Sequence, residues 1–165
     1  MATKKRPPRR RPTPKPKPRK PVRRKSTAKP PKPHIKGEPV DPAEVKLVVG
    51  KGTPKHGSGP GGHYWHIQVG DRRAGYVFIN WIDEEPYGEH ASVQIFLNED
   101  EQGKQIGRVA YRLACEQSRY DTVYAHMRKS NTASKRAAQE AGFKVLKDGQ
   151  TQLNMIWHRP GAEKS

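Results

Sequence analysis

Residues 95–108 read IFLNEDEQGKQIGR, a stretch in which a strand ends and a helix begins. The first residues alternate as in a strand, and a short polar loop containing Gly103 follows. From position 103 to 117, the apolar residues take the i, i+3, i+4 spacing of a helix. Unpaired amides at a helix N-terminus bind phosphate oxygens, and Gly103 and Gly107 let a diphosphate approach the backbone. We therefore predict a phosphate-binding loop, although helix packing is the commoner role of such a glycine pair taken alone.

The pattern on either side of this stretch predicts four strands, a helix, a strand, a second helix and two final strands. A strand–helix–strand connection makes the two strands parallel neighbours, with the helix packed on the sheet. The order predicts a single domain of the α/β class, with a mixed α+β arrangement and a central sheet of about seven strands. The predicted strands are residues 44–50, 63–69, 74–82, 91–97, 121–127, 143–146 and 152–157, and the helices are residues 103–117 and 131–141.

The excess positive charge lies at the N-terminus. Of the 33 Lys and Arg residues, 16 fall in residues 1–36, which contain no acidic residue and 10 of the 16 prolines. The remaining residues hold 17 basic and 16 acidic side chains and are close to neutral. A segment so poor in apolar side chains cannot offset the entropy of ordering its backbone. We therefore predict a disordered basic tail over residues 1–42, a folded domain over residues 43–159 and a short tail over residues 160–165.

The basic tail and the composition also bear on partners and location. An extended arm with 16 cations can neutralise phosphates without reading sequence, so non-specific nucleic acid is a candidate partner of residues 1–36. A solubilising arm with no fixed partner explains the same composition equally well. No apolar run is long enough for a signal peptide or a membrane span, and Cys115 is the single cysteine. We expect a cytoplasmic protein without an internal disulfide.

A second motif follows one strand after the predicted phosphate loop. Asn131 and Ser134 open the second helix, which ends at Gly142 and Phe143. Together the two motifs resemble the GNAT superfamily of acetyl-CoA-dependent acyltransferases. In that family an aliphatic strand leads into Arg/Gln-x-x-Gly-x-Gly/Ala at a helix start, and a later Asn-x-x-Ala/Ser leads to Gly-Phe. The resemblance covers residues 62–157 and matches the family's order of strands and helices.

The resemblance implies roles for particular residues, with acetyl-CoA as the co-substrate. Asn131 and Ser134 correspond to positions near the pantetheine and thiol end, although a helix cap alone explains Asn131 equally well. The strand that pairs with the pantetheine arm, in a fold whose fourth and fifth strands splay apart, corresponds to Ile95, Phe96 and Leu97. The diphosphate loop corresponds to Gln102, Gly103, Lys104, Gln105, Ile106, Gly107 and Arg108.

Three features depart from the family pattern. Gln105 stands where the family usually has glycine, which leaves the loop less conformational freedom. Ala138 stands where a tyrosine often serves as the general acid, so we expect the thiolate to leave without full protonation. Residues 51–62 are rich in Gly and Pro and too few for the family's first two helices. We therefore expect that helical pair to be reduced or absent and the acceptor site to be open.

An amine that arrives protonated needs a base, because only its lone pair can attack a thioester carbonyl. Some family members place a glutamate five residues before the motif asparagine, where this chain has His126. Others use a glutamate near the start of the fourth strand, where this chain has Glu89. We rank His126 first, since imidazole titrates near neutral pH, and Glu89 second. A strand-end histidine with no catalytic role is the alternative.

The sequence therefore predicts an N-acetyltransferase that moves an acetyl group from acetyl-CoA to an amine by direct attack in a ternary complex. The acceptor is a small molecule, or a lysine or N-terminus of a protein. Acidic residues 83–89 either attract a cationic amine or form a solvated loop. No metal site is expected. The alternative function is an inactive domain of the same type that binds nucleic acid or a nucleoprotein through its tail. The changes at Gln105 and Ala138 and the missing helical pair favour this alternative.

Overall fold

A computed structural model describes residues 37–162. Of the predicted tails, residues 1–36 and 163–165 lie outside the described residues, whereas residues 37–42 and 160–162 are described. The described part contains one seven-stranded sheet and two α-helices. The strands are β1 Val45–Val49, β2 His63–Val69, β3 Arg72–Glu84, β4 Gly88–Leu97, β5 Thr122–Arg128, β6 Lys144–Asp148 and β7 Gln152–His158, and the helices are α1 Ile106–Gln117 and α2 Thr132–Glu140.

The strand order across the sheet is β1-β2-β3-β4-β5-β7-β6. Strands β1 to β4 form an antiparallel meander, and β5, β7 and β6 form a second antiparallel group. The two groups meet where β4 and β5 run parallel, as the crossover through α1 requires. The expected class, a mixed sheet of about seven strands with two main helices, is confirmed. Neither α1 nor α2 is long and apolar enough to cross a membrane.

The two halves of the sheet join at a single point. The parallel pairing of β4 with β5 is confined to Ser92 and Tyr124. By contrast, β4 is paired with β3 along its whole length, from Leu97 opposite Gly75 to Gly88 opposite Glu84. Because β4 continues for five residues beyond Ser92, its C-terminal half leaves β5 and opens a gap in the sheet. The expected splay between the fourth and fifth strands is present.

The core lies between one face of the sheet and α1. Helix α1 buries Ile106, Val109 and Ala110 on the face turned toward the sheet. Alternate residues of the central strands point to that side, as the period of a strand requires, and Val93 and Val123 are almost fully buried there. This packing fixes the start of α1 against the end of β4, which is where the phosphate loop was expected.

Residues 50–62 form a looped connection between β1 and β2 and contain turns but no helix. Asn80 on β3 fixes this loop to the sheet. Its side-chain oxygen accepts from the Gly57 amide at 2.8 Å, and its amide group donates to the Lys55 carbonyl at 2.7 Å. The first helical pair is therefore absent, as expected, and one side-chain amide anchors what replaces it.

Several element boundaries were wrong in the sequence-based assignment, most of all the start of α1 and the ends of β3 and β4 that face each other. Helix α1 begins at Ile106 rather than at Gly103, because Gly103 and Gln105 have φ angles of +79° and +63°, which no right-handed helix contains. The acidic segment at residues 83–89 was expected to be a loop, but both of its ends belong to strands. Asp83 belongs to β3 and Glu89 to β4, so the chain turns over only three residues.

Two valines test the burial pattern across the sheet. Val123 on β5 is 0% exposed, whereas Val49 at the end of β1 is 81% exposed. We expect Val123→Ala to lower the free energy of unfolding by about 2 kcal/mol, and Val49→Ala to change it by less than about 0.5 kcal/mol. Urea unfolding of both variants measures this difference. Equal effects of the two substitutions would contradict the described core.

Candidate functional site

The loop between β4 and α1 is anchored to β3 by hydrogen bonds of its first residue, Asn98. The amide of Asn98 donates to the Ala74 carbonyl at 2.8 Å, and its side chain donates to the Arg73 carbonyl at 3.0 Å. A 3₁₀ turn, Glu99–Glu101, follows and buries the carboxylate of its last residue. These bonds give the loop a fixed position at the open end of the gap between β4 and β5.

Glu101 organises the cations around this loop. Its side chain is 6% exposed and accepts from Arg72 Nε at 2.6 Å and from Lys104 Nζ at 3.4 Å. The hydrogen bond to Glu101 raises the pKa of Arg72. Burial of a carboxylate is costly, and its contacts with two cations offset part of that cost. Lys104 is thereby placed at the loop surface.

The start of α1 offers unpaired donors. Gln105 occupies the N-cap position but makes no side-chain cap. Within residues 37–162, the amides of Gly103, Lys104 and Gln105 find no hydrogen-bond acceptor. Arg108 Nε is also buried without a partner in this part of the chain. Free amides at the positive end of a helix dipole, beside an orphaned guanidinium nitrogen, suit a bound phosphate.

Gln105 adopts the conformation that a glycine would take. Its φ of +63° lies in the left-handed region, where it is the single non-glycine residue among the described ones. A side chain there costs about 1 kcal/mol, because Cβ approaches the following carbonyl. Gln105 therefore takes a conformation that glycine adopts without this cost.

Gly107 has a packing role. A Cβ added to it would lie 3.3 Å from Ala137 Cβ on α2 and 3.9 Å from Leu97 Cδ1 on β4. The missing side chain thus lets α1 and α2 approach closely beside the end of β4. Its backbone amide still belongs to the first turn of α1, so packing and phosphate binding are compatible at this position.

Asn131 and Ser134 lie at the start of α2 and are both engaged. Asn131 Oδ1 accepts from the Ser134 amide at 3.1 Å, which is an N-cap. Ser134 Oγ lies 2.8 Å from the hydroxyl of Tyr111, a buried α1 residue whose pKa is raised by burial. Ala138, where the family often has tyrosine, is fully buried. The cap role of Asn131 is observed, and contact with a cofactor stays a prediction.

His126 lies at the other end of the gap, in a network of polar side chains. Its Nε2 is 2.9 Å from Nε2 of His90 on β4, and its Nδ1 is 2.9 Å from Oδ1 of Asn154 on β7. Asn154 in turn donates to the Tyr87 hydroxyl at 3.2 Å, and His90 Nδ1 lies 2.7 Å from the Gly88 carbonyl. The network spans the junction between the two halves of the sheet.

Glu89 does not join this network. Successive residues of a strand point to opposite faces, so Glu89 points away from the face that carries His90. It is exposed and lies opposite Asp83 in the β3–β4 hairpin. The structure therefore separates the two sequence-based base candidates and surrounds only His126 with polar partners.

Sequence reasoning missed four residues of this cluster, namely Tyr87, His90, Tyr124 and Asn154. Tyr124 lies 4.7 Å from His90 between ring centroids, and Tyr87 lies 5.0 Å from Tyr124. Asn154 could have been found only from the register of the strands, because it lies opposite His126 in the pairing of β5 with β7. That pairing skips β6, so the order of elements along the chain did not reveal it.

Two hollows in the surface lie away from the gap. One is lined by the loop after β1 together with β2, and the other by the ends of β5 and β7. No group of three or more His, Cys, Asp or Glu side chains within residues 37–162 is arranged to hold a metal ion.

Comparisons with known proteins agree with this geometry. A family model described as an acetyltransferase (GNAT) domain matches residues 31–144. The match covers more than half of the 165 residues and includes β4, the loop, α1, β5 and α2. No curated protein sequence matches the chain significantly.

Three solved structures illustrate the shared fold. A spermidine N-acetyltransferase from Vibrio cholerae, solved with CoA and spermine, is 19% identical over 61% of this chain and 67% of its own, with a TM-score of 0.50. The protein yncA from Salmonella typhimurium, solved with acetyl-CoA, is 18% identical over 59% of this chain and 65% of its own, with a TM-score of 0.50. RimJ from Mycobacterium smegmatis, solved with CoA-disulfide, is 17% identical over 63% of this chain and 56% of its own, with a TM-score of 0.50. The chain thus spans 56–67% of the length of these structures.

The left-handed conformation of Gln105 has a measurable consequence. We expect Gln105→Gly to raise the free energy of unfolding by about 0.5 kcal/mol, because relief of the strained φ exceeds the added chain entropy. Gln139→Gly makes the same chemical change at an exposed position inside α2 and should lower it by about 1 kcal/mol. Thermal or urea unfolding compares the two. Destabilisation of equal size at both positions would contradict the described loop.

Proposed function

The chain belongs to the GNAT acetyltransferase family, and from this we propose that it transfers the acetyl group of acetyl-CoA to an amine by direct attack in a ternary complex. The observation that carries the proposal is the gap between β4 and β5, which opens toward an uncapped helix start at Gln105. In the reaction the amine nitrogen bonds to the acetyl carbon, the carbon–sulfur bond breaks, and CoA leaves with its sulfur as thiolate.

The residues present fit a CoA molecule. The amides of Gly103, Lys104 and Gln105, together with those of Ile106, Gly107 and Arg108 in the first turn of α1, would bind the diphosphate. Gln102, whose side chain donates to the Leu97 carbonyl at 3.2 Å, would hold the loop in place. The backbone of Ile95, Phe96 and Leu97 would pair with the pantetheine arm, because these residues follow the point where β4 leaves β5.

We assign proton removal from the amine to His126. It is partly exposed at the junction of β4 and β5 and has a histidine partner, whereas Glu89 points away from this junction. A positioned base contributes typically about 10²–10⁴-fold to such a reaction. At the thiol end, no acid replaces the family's tyrosine at Ala138, and a thiolate can leave without one.

The acceptor is a cationic amine in this proposal. The hairpin between β3 and β4 carries Asp83, Glu84, Glu85 and Glu89, and Tyr87 of the same hairpin belongs to the His126 network. Carboxylates beside the site concentrate a cationic substrate there. Spermidine and protein amines both meet this description, and the absent first helical pair leaves room for either. Binding of non-specific nucleic acid by residues 1–36 stays a prediction from their charge.

Acetyl-CoA binding and turnover test the proposed function. We expect calorimetry on the full chain to give a dissociation constant below about 1 mM, and thiol release in the presence of a cationic amine. Cys115 adds no background to a thiol assay, because it is fully buried and burial raises its pKa. The amines to compare are spermidine, an aminoglycoside and a lysine peptide. Binding that is absent at millimolar acetyl-CoA would overturn the proposal.

The choice of base is tested by matched substitutions. We expect His126→Gln to lower kcat/KM about 100-fold at neutral pH, with partial recovery at high pH where the amine loses its proton to water. Glu89→Gln should leave kcat within about threefold, because a charge on the hairpin influences mainly amine binding. The pH profiles of both variants measure this. A larger loss of kcat/KM in Glu89→Gln than in His126→Gln would reverse the assignment of the base.

A further inference from the structure

The hydrogen bonds around His90 and His126 determine how many hydrogens the two rings carry. The Gly88 carbonyl can only accept, so Nδ1 of His90 carries a hydrogen. The contact between the two Nε2 atoms, at 2.9 Å, needs one hydrogen between them. If Asn154 turns its oxygen toward His126, Nδ1 of His126 must carry a hydrogen as well. Three hydrogens on four ring nitrogens give the histidine pair one positive charge.

Turning the Asn154 amide over gives a second complete arrangement. Its NH₂ group then donates to His126 Nδ1, and its oxygen accepts from the Tyr87 hydroxyl, which can donate as well as accept. His126 keeps its hydrogen on Nε2 and donates to His90, which still donates to Gly88. In this arrangement every bond is made and the pair is neutral. The two states differ by one proton, located on Nδ1 of His126.

We propose that His90, Asn154 and Tyr87 are positioning residues that let His126 take up one proton at Nδ1. When His126 is protonated, the Asn154 amide turns over, so that its oxygen accepts from Nδ1 where its NH₂ group donated before. The inference rests on the proposed function, in which this proton comes from the substrate amine. This network keeps every bond in both protonation states, and so avoids the cost of about 1–3 kcal/mol that an unsatisfied buried group carries. The entry side is the half-buried end at Asn154 and Tyr87, because His90 is only 4% exposed.

The neighbours of the pair agree with uptake of a single proton. Tyr124 packs against His90 from β5, and Tyr87 packs against it from the hairpin. On the same face of the sheet, Glu84 lies opposite Gly88 at the end of β3, and Arg128 follows His126 on β5. Lys147 lies opposite Asn154 on β6, so one carboxylate and two cations flank the network. A second proton would place two cations in contact, with no acceptor for the middle bond.

Nitrogen-15 NMR of the histidine rings in the full chain tests the inference without any substrate. At high pH we expect His90 as the Nδ1–H tautomer and His126 as the Nε2–H tautomer. On acidification the pair should gain one proton, with Nδ1 of His126 becoming protonated. Both rings neutral with Nδ1–H on His126, or two protons taken up together, would overturn the inference.

Asn154→Asp supplies the decisive variant. A carboxylate can only accept, so it fixes the arrangement of the protonated state and should move the titration to higher pH by about one unit or more. Gln152→Glu, two residues away on the same strand face, adds the same charge without the hydrogen bond and should move it by much less. Equal shifts in the two variants would show a general charge effect and contradict the amide turn.

Activity separates this inference from the proposed function. In the Asn154→Asp variant, the rising limb of the kcat/KM pH profile should shift in parallel with the NMR titration. If the wild-type chain binds acetyl-CoA and turns over while the two titrations disagree, the inference alone fails. If the ring tautomers are as described but no acetyl transfer occurs with any amine, the proposed function fails and the paired protonation stands.

Discussion

The structure depends on where β4 and β5 stop being neighbours. They are parallel partners at Ser92 and Tyr124, and beyond that point β4 runs on alone toward the loop before α1. Backbone N–H and C=O groups need hydrogen-bond partners. The part of β4 that has left β5 can therefore pair with a ligand that carries amide groups. The uncapped start of α1 and the histidine network both lie along this gap, and α1 reaches its place only because the crossover must return to β5.

Much of this arrangement could be predicted from the sequence. Alternating and helical periods located all nine elements, and the Gly-rich segment at residues 51–62 predicted the absence of a helical pair. The start of α1 was misplaced because apolar spacing does not register a left-handed residue such as Gln105. The network around His126 was not found, because Asn154 reaches it through a pairing of β5 with β7 that no local pattern encodes. Register between distant strands is a tertiary property.

Two of the departures that favour an inactive domain differ in their structural effect. Gln105 takes a conformation typical of glycine, at a cost in stability. Ala138 is buried in the core and has no polar side-chain group. Under the proposed function, the first change leaves the loop amides free for a phosphate, and the second affects only how the sulfur would leave.

Hydrogen–deuterium exchange of the full chain, with and without acetyl-CoA, tests the central claim most directly. The account predicts slower exchange on binding at two places, the backbone of residues 95–97 and the amides of residues 103–107. Exchange in the loop at residues 50–62 should stay unchanged, because it lies on a different part of the sheet. Protection confined to other segments, or none at saturating acetyl-CoA, would contradict the assignment of the gap between β4 and β5 as the cofactor site.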